Sequence, residues 1–329
     1  MIDHIAIVGL GSIGRRHLRL IREFKPEIEI IVVRSGRGEA VAEEKIADKI
    51  VYTMEDAIET GIQAAVIATP AVYHLGQVKE LVQAGVHVLV EKPLSDSMEG
   101  VNELVKVQEE SCLVGLVGYC LRYDPAAIQF RKILNNGKTG QILHVTVDCG
   151  SYLPDWRPDQ DYKKSVSAKK ELGGGVLLEL SHELDYIRWF FGEMKSVRAQ
   201  FNNSGTLDMD WEDSADIIFN SVQGFPVATH LDFNSRSIRR RCSARCTEGD
   251  LVWDAVAQEV TWQPPKGPEE VEKFSYERNT IYRKQLQHFF ACIEDGQAPA
   301  VSIEDSVEVL RMVEAARESN ATGQKVPLA

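Results

Sequence analysis

Basic charge is what this chain of 329 residues has too little of. Its 37 lysines and arginines are outnumbered by 49 aspartates and glutamates, leaving a net charge of −12. Generic binding to nucleic acid or to an anionic membrane needs a basic surface, so this balance argues against both partners. No apolar run approaches the roughly 20 residues that span a bilayer. The N-terminus enters an apolar strand with no basic stretch or apolar segment before it, so no signal peptide is expected. Cysteine is sparse and scattered, at Cys112, Cys120, Cys149, Cys242, Cys246 and Cys292. No second Cys/His pair completes a metal site with Cys242 and Cys246, so buried, inert thiols and no metal are expected. Such usage fits a reducing, cytoplasmic setting. Internal repeats and low-complexity tracts are absent as well.

What is present is ordinary for a globular protein: 44% hydrophobic and 26% charged residues, at a length suited to two domains. Strand and helix signals alternate through the first 120 residues. Strands are expected at 5–8, 28–33, 50–52, 64–69, 87–91 and 113–119. Helices are expected at 15–24, 39–47, 54–60, 71–84 and 97–110, the last capped by Ser95 or Ser97. Near-continuous apolar strands separated by helices imply a parallel sheet covered on both faces. The pattern then changes. A helix over 125–136 and a long alternating strand over 141–152 precede an aperiodic segment, 153–172. A segment that long without periodicity in a compact domain points to function or disorder. Gly173-Gly174-Gly175 leads into a helix predicted to run to Phe191. Strands with turn signals over 195–262 read as a mostly antiparallel meander. Pro264 to Pro268 is a turn-rich connection, and helices over 281–294 and 303–320 close the chain.

Two motifs carry chemistry. Gly9-Leu10-Gly11-Ser12-Ile13-Gly14 stands between a strand and a helix, the context that gives G-x-G-x-x-G its meaning as a dinucleotide fingerprint. Gly9 permits the tight turn, Gly11 lets the backbone approach a pyrophosphate, and Gly14 lets helix and strand pack closely. The helix N-terminus offers unpaired N–H groups to the phosphates. Glu91-Lys92-Pro93 closes another expected strand, at the carboxyl end where open α/β sheets bind ligands. At the end of the second strand stand Arg34, Ser35 and Arg37, with no carboxylate to bond a ribose 2′-hydroxyl. A guanidinium suits a 2′-phosphate, which favours NADP(H) over NAD(H). The alternative reading of both arginines is solvated loop charge.

These motifs, with Ala68-Thr69-Pro70, Gly173-Gly174-Gly175, His182-Glu183-Leu184-Asp185, Trp189, Ala298-Pro299-Ala300-Val301-Ser302 and Gly323, resemble the Gfo/Idh/MocA oxidoreductases over essentially the whole chain. The resemblance implies an α/β protein: an N-terminal Rossmann domain, doubly wound on a parallel sheet, over residues 1–121. A C-terminal α/β domain with a large, mostly antiparallel open sheet would follow over 122–329, for substrate and oligomerisation, with a final helix able to pack back on the first domain. It implies hydride transfer between NADP or NAD and a secondary alcohol or ketone of a sugar, cyclitol or sugar nucleotide. Lys92 would touch the reacting oxygen and His182 would be the acid/base, with Asp185 one helical step away. The family pattern has an aspartate four residues before the histidine, where this chain has Leu178. Glu179 is carried over in its place, against the alternative of a helix-surface carboxylate. Gly9, Gly11, Ser12, Ile13, Gly14, Ala68, Thr69, Pro70, His74, Glu91 and Lys92 are placed at the cofactor. Tyr119, Arg122, Trp156 and Arg157 are placed at the substrate. Arg236, Arg239, Arg240, Arg241 and Arg245 form a basic cluster open to three readings: a solvated strand face, a subunit contact, or attraction of a phosphorylated substrate. A homodimer or homotetramer is expected from the open sheet. Two other functions stand as alternatives, a redox-neutral NAD-dependent glycosidase and a non-catalytic dinucleotide sensor.

Overall fold

Six short, apolar strands are the frame of the first of two units in the computed structural model, which describes residues 2–328. They are β1 (His4–Val8), β2 (Glu29–Val33), β3 (Lys49–Val51), β4 (Ala64–Ile67), β5 (His87–Val90) and β6 (Gly115–Val117). All pair in parallel, in the order β3-β2-β1-β4-β5-β6, the doubly wound order whose direction reverses beside β1. Helices α1 (Ser12–Phe24), α2 (Met54–Glu59), α3 (His74–Gln83) and α4 (Val101–Ser111) are the crossovers. Ile5, Ile7, Val32, Val66 and Leu89 of the strands and Leu18 and Ile21 of α1 are almost fully buried together.

This unit comprises residues up to Cys120 together with Glu277–Leu310; the expectation put the boundary at 121/122 with a final helix able to pack back. The reason is the apolar face of α8 (Asn279–Glu294). Its Leu286, Phe289, Phe290 and Cys292 belong to the same core cluster as Ile5 and Leu18. The Val117 N–H also bonds the Val301 carbonyl at 3.0 Å, closing the β6 edge. Two local expectations fail for backbone reasons. α4 begins at Val101 and not at Ser97, because Gly100 at φ +75° breaks the helical path before it. The expected helix over 39–47 is a single 3₁₀ turn, Ala42–Ile46.

The second unit is Leu121–Tyr276 with residues from Arg311 onward. Its sheet has nine strands: β7 (Ile142–Gly150), β8 (Met194–Asn202), β9 (Ser214–Ser221), β10 (Pro226–Asp232), β11 (Arg239–Cys246), β12 (Gly249–Asp254), β13 (Glu259–Gln263), β14 (Glu270–Lys273) and β15 (Val326–Pro327). Their order is β14-β13-β12-β11-β7-β10-β9-β8-β15, antiparallel throughout except for the pair β7 and β10. The Pro264–Pro268 segment links β13 to β14, an edge strand that the sequence reading missed.

One face of this sheet is buried, through alternating residues such as Val145, Val147, Leu231, Cys242, Ala244 and Trp253. Phe130 of α5 (Pro125–Asn135) and Tyr186 and Phe190 of a later helix are buried too, and Tyr186 and Phe190 each meet the Trp253 ring edge-on. The other face carries Thr146, Asp148, His230, Arg239, Arg241 and Arg245, with the apolar Ile218, Val252 and Val271 in one cross-strand row among them. The aperiodic segment 153–172 is a chain of four short 3₁₀ turns. The glycine-led helix is two helices, α6 (Val176–Glu179) and α7 (His182–Phe191). Between them Ser181 N–H bonds Leu178 O and Glu183 N–H bonds Leu180 O, so tighter i to i+3 contacts interrupt the α ladder.

Candidate active site

In the first unit the chain turns sharply after β1. Gly9 has φ +91°, and a Cβ there would lie 3.0 Å from Ala68 O and 3.1 Å from Thr69 Cγ2. The Ala68-Thr69-Pro70 turn thus packs against the glycine turn, held also by Ala68 N–H to Val8 O at 2.8 Å. A Cβ on Gly14 would sit 2.0 Å from Gly9 O, so helix and turn could not close with any other residue. Gly11 is different: nothing lies within 4 Å of where its Cβ would be. It caps α1 without a side-chain bond, and the first turn, Ser12-Ile13-Gly14, has no acidic residue. Open N–H donors, a positive helix end and an unfilled space over Gly11 fit the pyrophosphate of a dinucleotide.

The end of β2 is less open than its sequence suggests. Arg34 pairs through Nη1 with Glu44 and donates from Nη2 to Glu39 O at 2.8 Å. Ser35 and Arg37 are exposed, with Arg37 N–H bonding Ser35 Oγ at 3.4 Å.

Past β5, Glu91-Lys92-Pro93 forms a turn with a cis Lys92–Pro93 peptide. Glu91 is 8% exposed, and its Oε1 lies 2.7 Å from Nε2 of His17, a fully buried residue of α1. The Lys92 N–H reaches Glu91 Oε2 at 3.3 Å. His74, 1% exposed, puts Nδ1 at 2.8 Å from Pro93 O and Nε2 at 2.8 Å from Thr69 O. Burial pushes its pKa below the usual imidazole value, although both carbonyls favour the protonated ring. His74 and Glu91, both expected at the cofactor, thus spend these polar atoms on protein partners inside the fold. Tyr119, expected at the substrate, is fully buried.

In the second unit the triple glycine is a packing requirement. A Cβ on Gly174 would lie 2.4 Å from Val166 O, and one on Gly175 (φ +96°) 1.7 Å from Trp211 Cδ1. Glu212 follows Trp211, and its Oε1 accepts the Leu177 N–H at 3.4 Å. Burial pushes its carboxyl pKa up to about 7. The tight turn so fixed delivers Glu179 at the end of α6 and His182 at the start of α7, both half-buried. Because the helices are separate, Glu179 and His182 do not share one helix face. His182 and Asp185 do share α7.

Asp185, 1% exposed, meets Arg122 in a forked ion pair: Nε to Oδ1 and Oδ2 at 3.2 and 3.0 Å, Nη2 to Oδ1 at 2.8 Å. The Trp189 ring lies 5.8 Å from that guanidinium. Trp156 donates from Nε1 to Ser151 Oγ at 2.7 Å and meets Phe233 edge-on, while Arg157 is exposed.

The basic cluster divides. Arg240 bonds Glu183 at 2.7 Å beneath the sheet, Arg239 bonds Asp148 at 2.9 Å, and Arg245 lies 3.2 Å from Asp250. Arg236 lies 3.5 Å over the Tyr152 ring, and Arg241 is exposed. Sequence reasoning missed His17, and it named Glu183 and Arg240 without pairing them. Each had a signal: a polar residue at a buried position of an amphipathic period, His17 beside Leu18 and Ile21, Glu183 beside Leu184 and Ile187, Arg240 two before Cys242. All six cysteines are free, five of them buried. Among the described residues no helix is long and apolar enough to cross a membrane.

A parallel sheet with a glycine cradle, followed in sequence by a unit with a large antiparallel sheet and a helix bearing His182 and Asp185, is the layout of a nicotinamide-dependent oxidoreductase. Residues 4–119 match the oxidoreductase family NAD-binding Rossmann fold, 128–252 the GFO/IDH/MocA C-terminal domain, and 239–328 the oxidoreductase family C-terminal alpha/beta domain. The chain belongs to the Gfo/Idh/MocA oxidoreductases. It is 26% identical to the scyllo-inositol 2-dehydrogenase (NAD(+)) of Bacillus subtilis, over 98% of this chain and 95% of that one. It is 27% identical to the 2,7-anhydro-N-acetylneuraminate hydratase of Mediterraneibacter gnavus, over 66% of this chain but 57% of that one. Its fold is similar to that of a levoglucosan dehydrogenase complexed with NADH, with a TM-score of 0.89, 18% identity and 99% of each chain covered.

Proposed function

We propose that the protein moves a hydride between a nicotinamide dinucleotide and a secondary alcohol or ketone of a sugar or cyclitol. The observation that carries this reading is the strand-end turn holding Lys92 in the same unit as a fitted dinucleotide cradle. When bound, the nicotinamide supplies or takes the hydride at the reacting carbon. Gly9, Gly11, Ser12, Ile13 and Gly14 hold the pyrophosphate with backbone donors, and Ala68, Thr69 and Pro70 back that turn. Lys92 stabilises negative charge on the substrate oxygen. His182 exchanges the proton, because an imidazole titrates near neutrality in water. Arg122 holds Asp185 in a forked ion pair, so Asp185 presents an oriented carboxylate to a substrate hydroxyl or to the imidazole. Glu179, Trp156 and Arg157 contribute to substrate binding.

Among the two dinucleotides, NADP(H) is the proposed partner. With Arg34 tied to Glu44, the 2′-phosphate falls to Ser35 and Arg37. The test is dinucleotide affinity by fluorescence titration: NADPH binds more tightly than NADH, and Arg37→Glu reverses the order. Equal affinities would remove the preference.

The reaction is tested with a panel of sugars and cyclitols, scyllo-inositol included, by following the absorbance of the reduced nicotinamide. Turnover should appear with the native protein and disappear in Lys92→Met and His182→Asn. The similarity to a hydratase favours one second reading, a redox-neutral reaction on a sugar. In that case product would form with no net change in reduced dinucleotide. A homodimer or homotetramer in the cytoplasm completes the proposal, with light scattering as its check.

A further inference from the structure

We infer that His17 and His74 are positioning residues for Lys92, each holding one of its two chain neighbours. The inference rests on the reading of Lys92 as the ammonium at the reacting oxygen. β5 ends at Val90, so the sheet ladder stops before Glu91-Lys92-Pro93. A lysine carries its charge on a flexible four-carbon stem, so where that charge can lie depends first on where the fold places its Cα. That Cα lies between two buried anchors. On one side Glu91 Oε1 meets His17 Nε2 at 2.7 Å, and Glu91 Oε2 turns back to the Lys92 N–H at 3.3 Å. On the other side Pro93 O meets His74 Nδ1 at 2.8 Å. The far nitrogen of His74 meets Thr69 O at 2.8 Å, in the turn that packs on Gly9.

His17 stands on α1, the helix whose N-terminus receives the phosphates, and His74 opens α3. The two imidazoles therefore fasten the lysine turn to α1 and to the turn after β4, the two elements that frame the dinucleotide cradle. Each is placed where a smaller apolar residue would fill the core more simply. A buried polar ring that is retained for its hydrogen bonds is the physical sense of that choice. A shift of about 1 Å in a catalytic group can lower turnover by about 10²-fold, so such fastening has a functional consequence.

The geometry separates fastening from mere filling, because amides can mimic one ring nitrogen at a time. Glutamine places its amide nitrogen near the Nε2 position and asparagine near the Nδ1 position. His17 uses Nε2 toward Glu91, and its Nδ1 has no hydrogen-bond partner among the described residues. His17→Gln should therefore keep the anchor and His17→Asn should lose it. At position 74 the order inverts: His74→Asn keeps the bond to Pro93 and His74→Gln loses it.

The readout is the acetic anhydride labelling rate of Lys92 in the ligand-free protein. It is measured by mass spectrometry relative to Lys79, a lysine of the same unit whose side chain is 42% exposed. Melting temperature and NADPH affinity are recorded alongside. The expected result is a severalfold change in the Lys92 ratio in His17→Asn and His74→Gln, with ratios close to native in His17→Gln and His74→Asn. Ratios that are unchanged in all four, or that simply follow melting temperature, would overturn the inference, as would failure of all four to fold. Where one pair fails to fold, the other decides by its own order. Labelling needs no substrate, so its outcome is separate from that of the proposed reaction, which falls if Lys92→Met still turns over.

Discussion

The two units place their polar groups by different means. In the first, backbone does most of it: a left-handed glycine, a helix N-terminus without a side-chain cap, and turns so close that a Cβ has no room. In the second, buried charge does it. Arg122 grips Asp185, and Arg240 grips Glu183, a residue with no exposed surface one position after His182. The difference teaches where each unit is fragile. A backbone cradle fails when a methyl group is added, whereas a charge-pinned helix fails when one partner is removed.

Gly14→Val is the largest expected effect. Its Cβ would fall 2.0 Å from Gly9 O, and both groups are backbone-fixed, so turn and helix must separate. Loss of measurable NADPH binding together with a lower melting temperature is expected. Gly11→Ala sharpens the point, since nothing lies within 4 Å of its Cβ. Its melting temperature should stay native while NADPH binds more weakly, because the methyl group enters the space left for phosphate. Equal melting temperatures in the two variants would break the backbone half of the comparison.

Glu183→Ala is the counterpart in the second unit. It leaves Arg240 without its buried partner, a change that costs about 3–5 kcal/mol in comparable pairs. Denaturant unfolding should show that loss, and Glu183→Leu combined with Arg240→Met should recover most of it. If the single variant is as stable as the native protein, α7 is not pinned by charge.

The same difference decides what could be read from the chain alone. Parallel strands buried on both faces are unbroken apolar runs, so β1, β2, β4 and β5 stood out, and the glycine spacing named the cradle between β1 and α1. The turn at Lys92 was legible because it follows such a run. The pairs that orient the second unit join residues 57 to 63 positions apart, Glu183 with Arg240 and Arg122 with Asp185, and no local pattern encodes a partner that distant. The break at Leu180 and Ser181 was hidden for a related reason. Both flanks are helical in pattern, and it is tertiary packing of Trp211 and Glu212 on the glycines that constrains the preceding turn. Arg34 illustrates the converse: its charge was visible, its capture by Glu44 was not.

Arg122→Lys has a smaller, functional effect. Lysine keeps the charge but cannot make the forked contact that holds both oxygens of Asp185. Turnover should fall by about tenfold, the size of one charge-assisted hydrogen bond, with NADPH affinity and melting temperature close to native. A fall in affinity equal to the fall in turnover would assign Arg122 to cofactor binding instead.

The smallest effect lies on the open face of the large sheet, where charge is half in water. His230 of β10 lies 2.7 Å from Asp216 and 3.4 Å from Asp232, and these carboxylates raise its pKa to about 9. A raised imidazole pKa favours the folded state most where both states are protonated-favouring, that is below the unfolded value near 6.5. The contribution then fades as pH rises through 9. Asp232 runs the other way: hydrogen bonds from His230, Ser235 and Asn234 outweigh burial and hold it at about 2, so its contribution is present above about 3.8 and is lost as pH falls through 2. Melting temperature followed from pH 6 to 10 should therefore decline more steeply in the native protein than in His230→Asn, the two curves converging at the alkaline end. Solvent screens His230 and Asp216, whose side chains are 42% and 74% exposed, so the gap should be a degree or two and should shrink in high salt. Parallel curves would mean that the ion pairs of His230 contribute nothing to stability, and that the half-exposed imidazole does not order the open face as the buried pairs order α7.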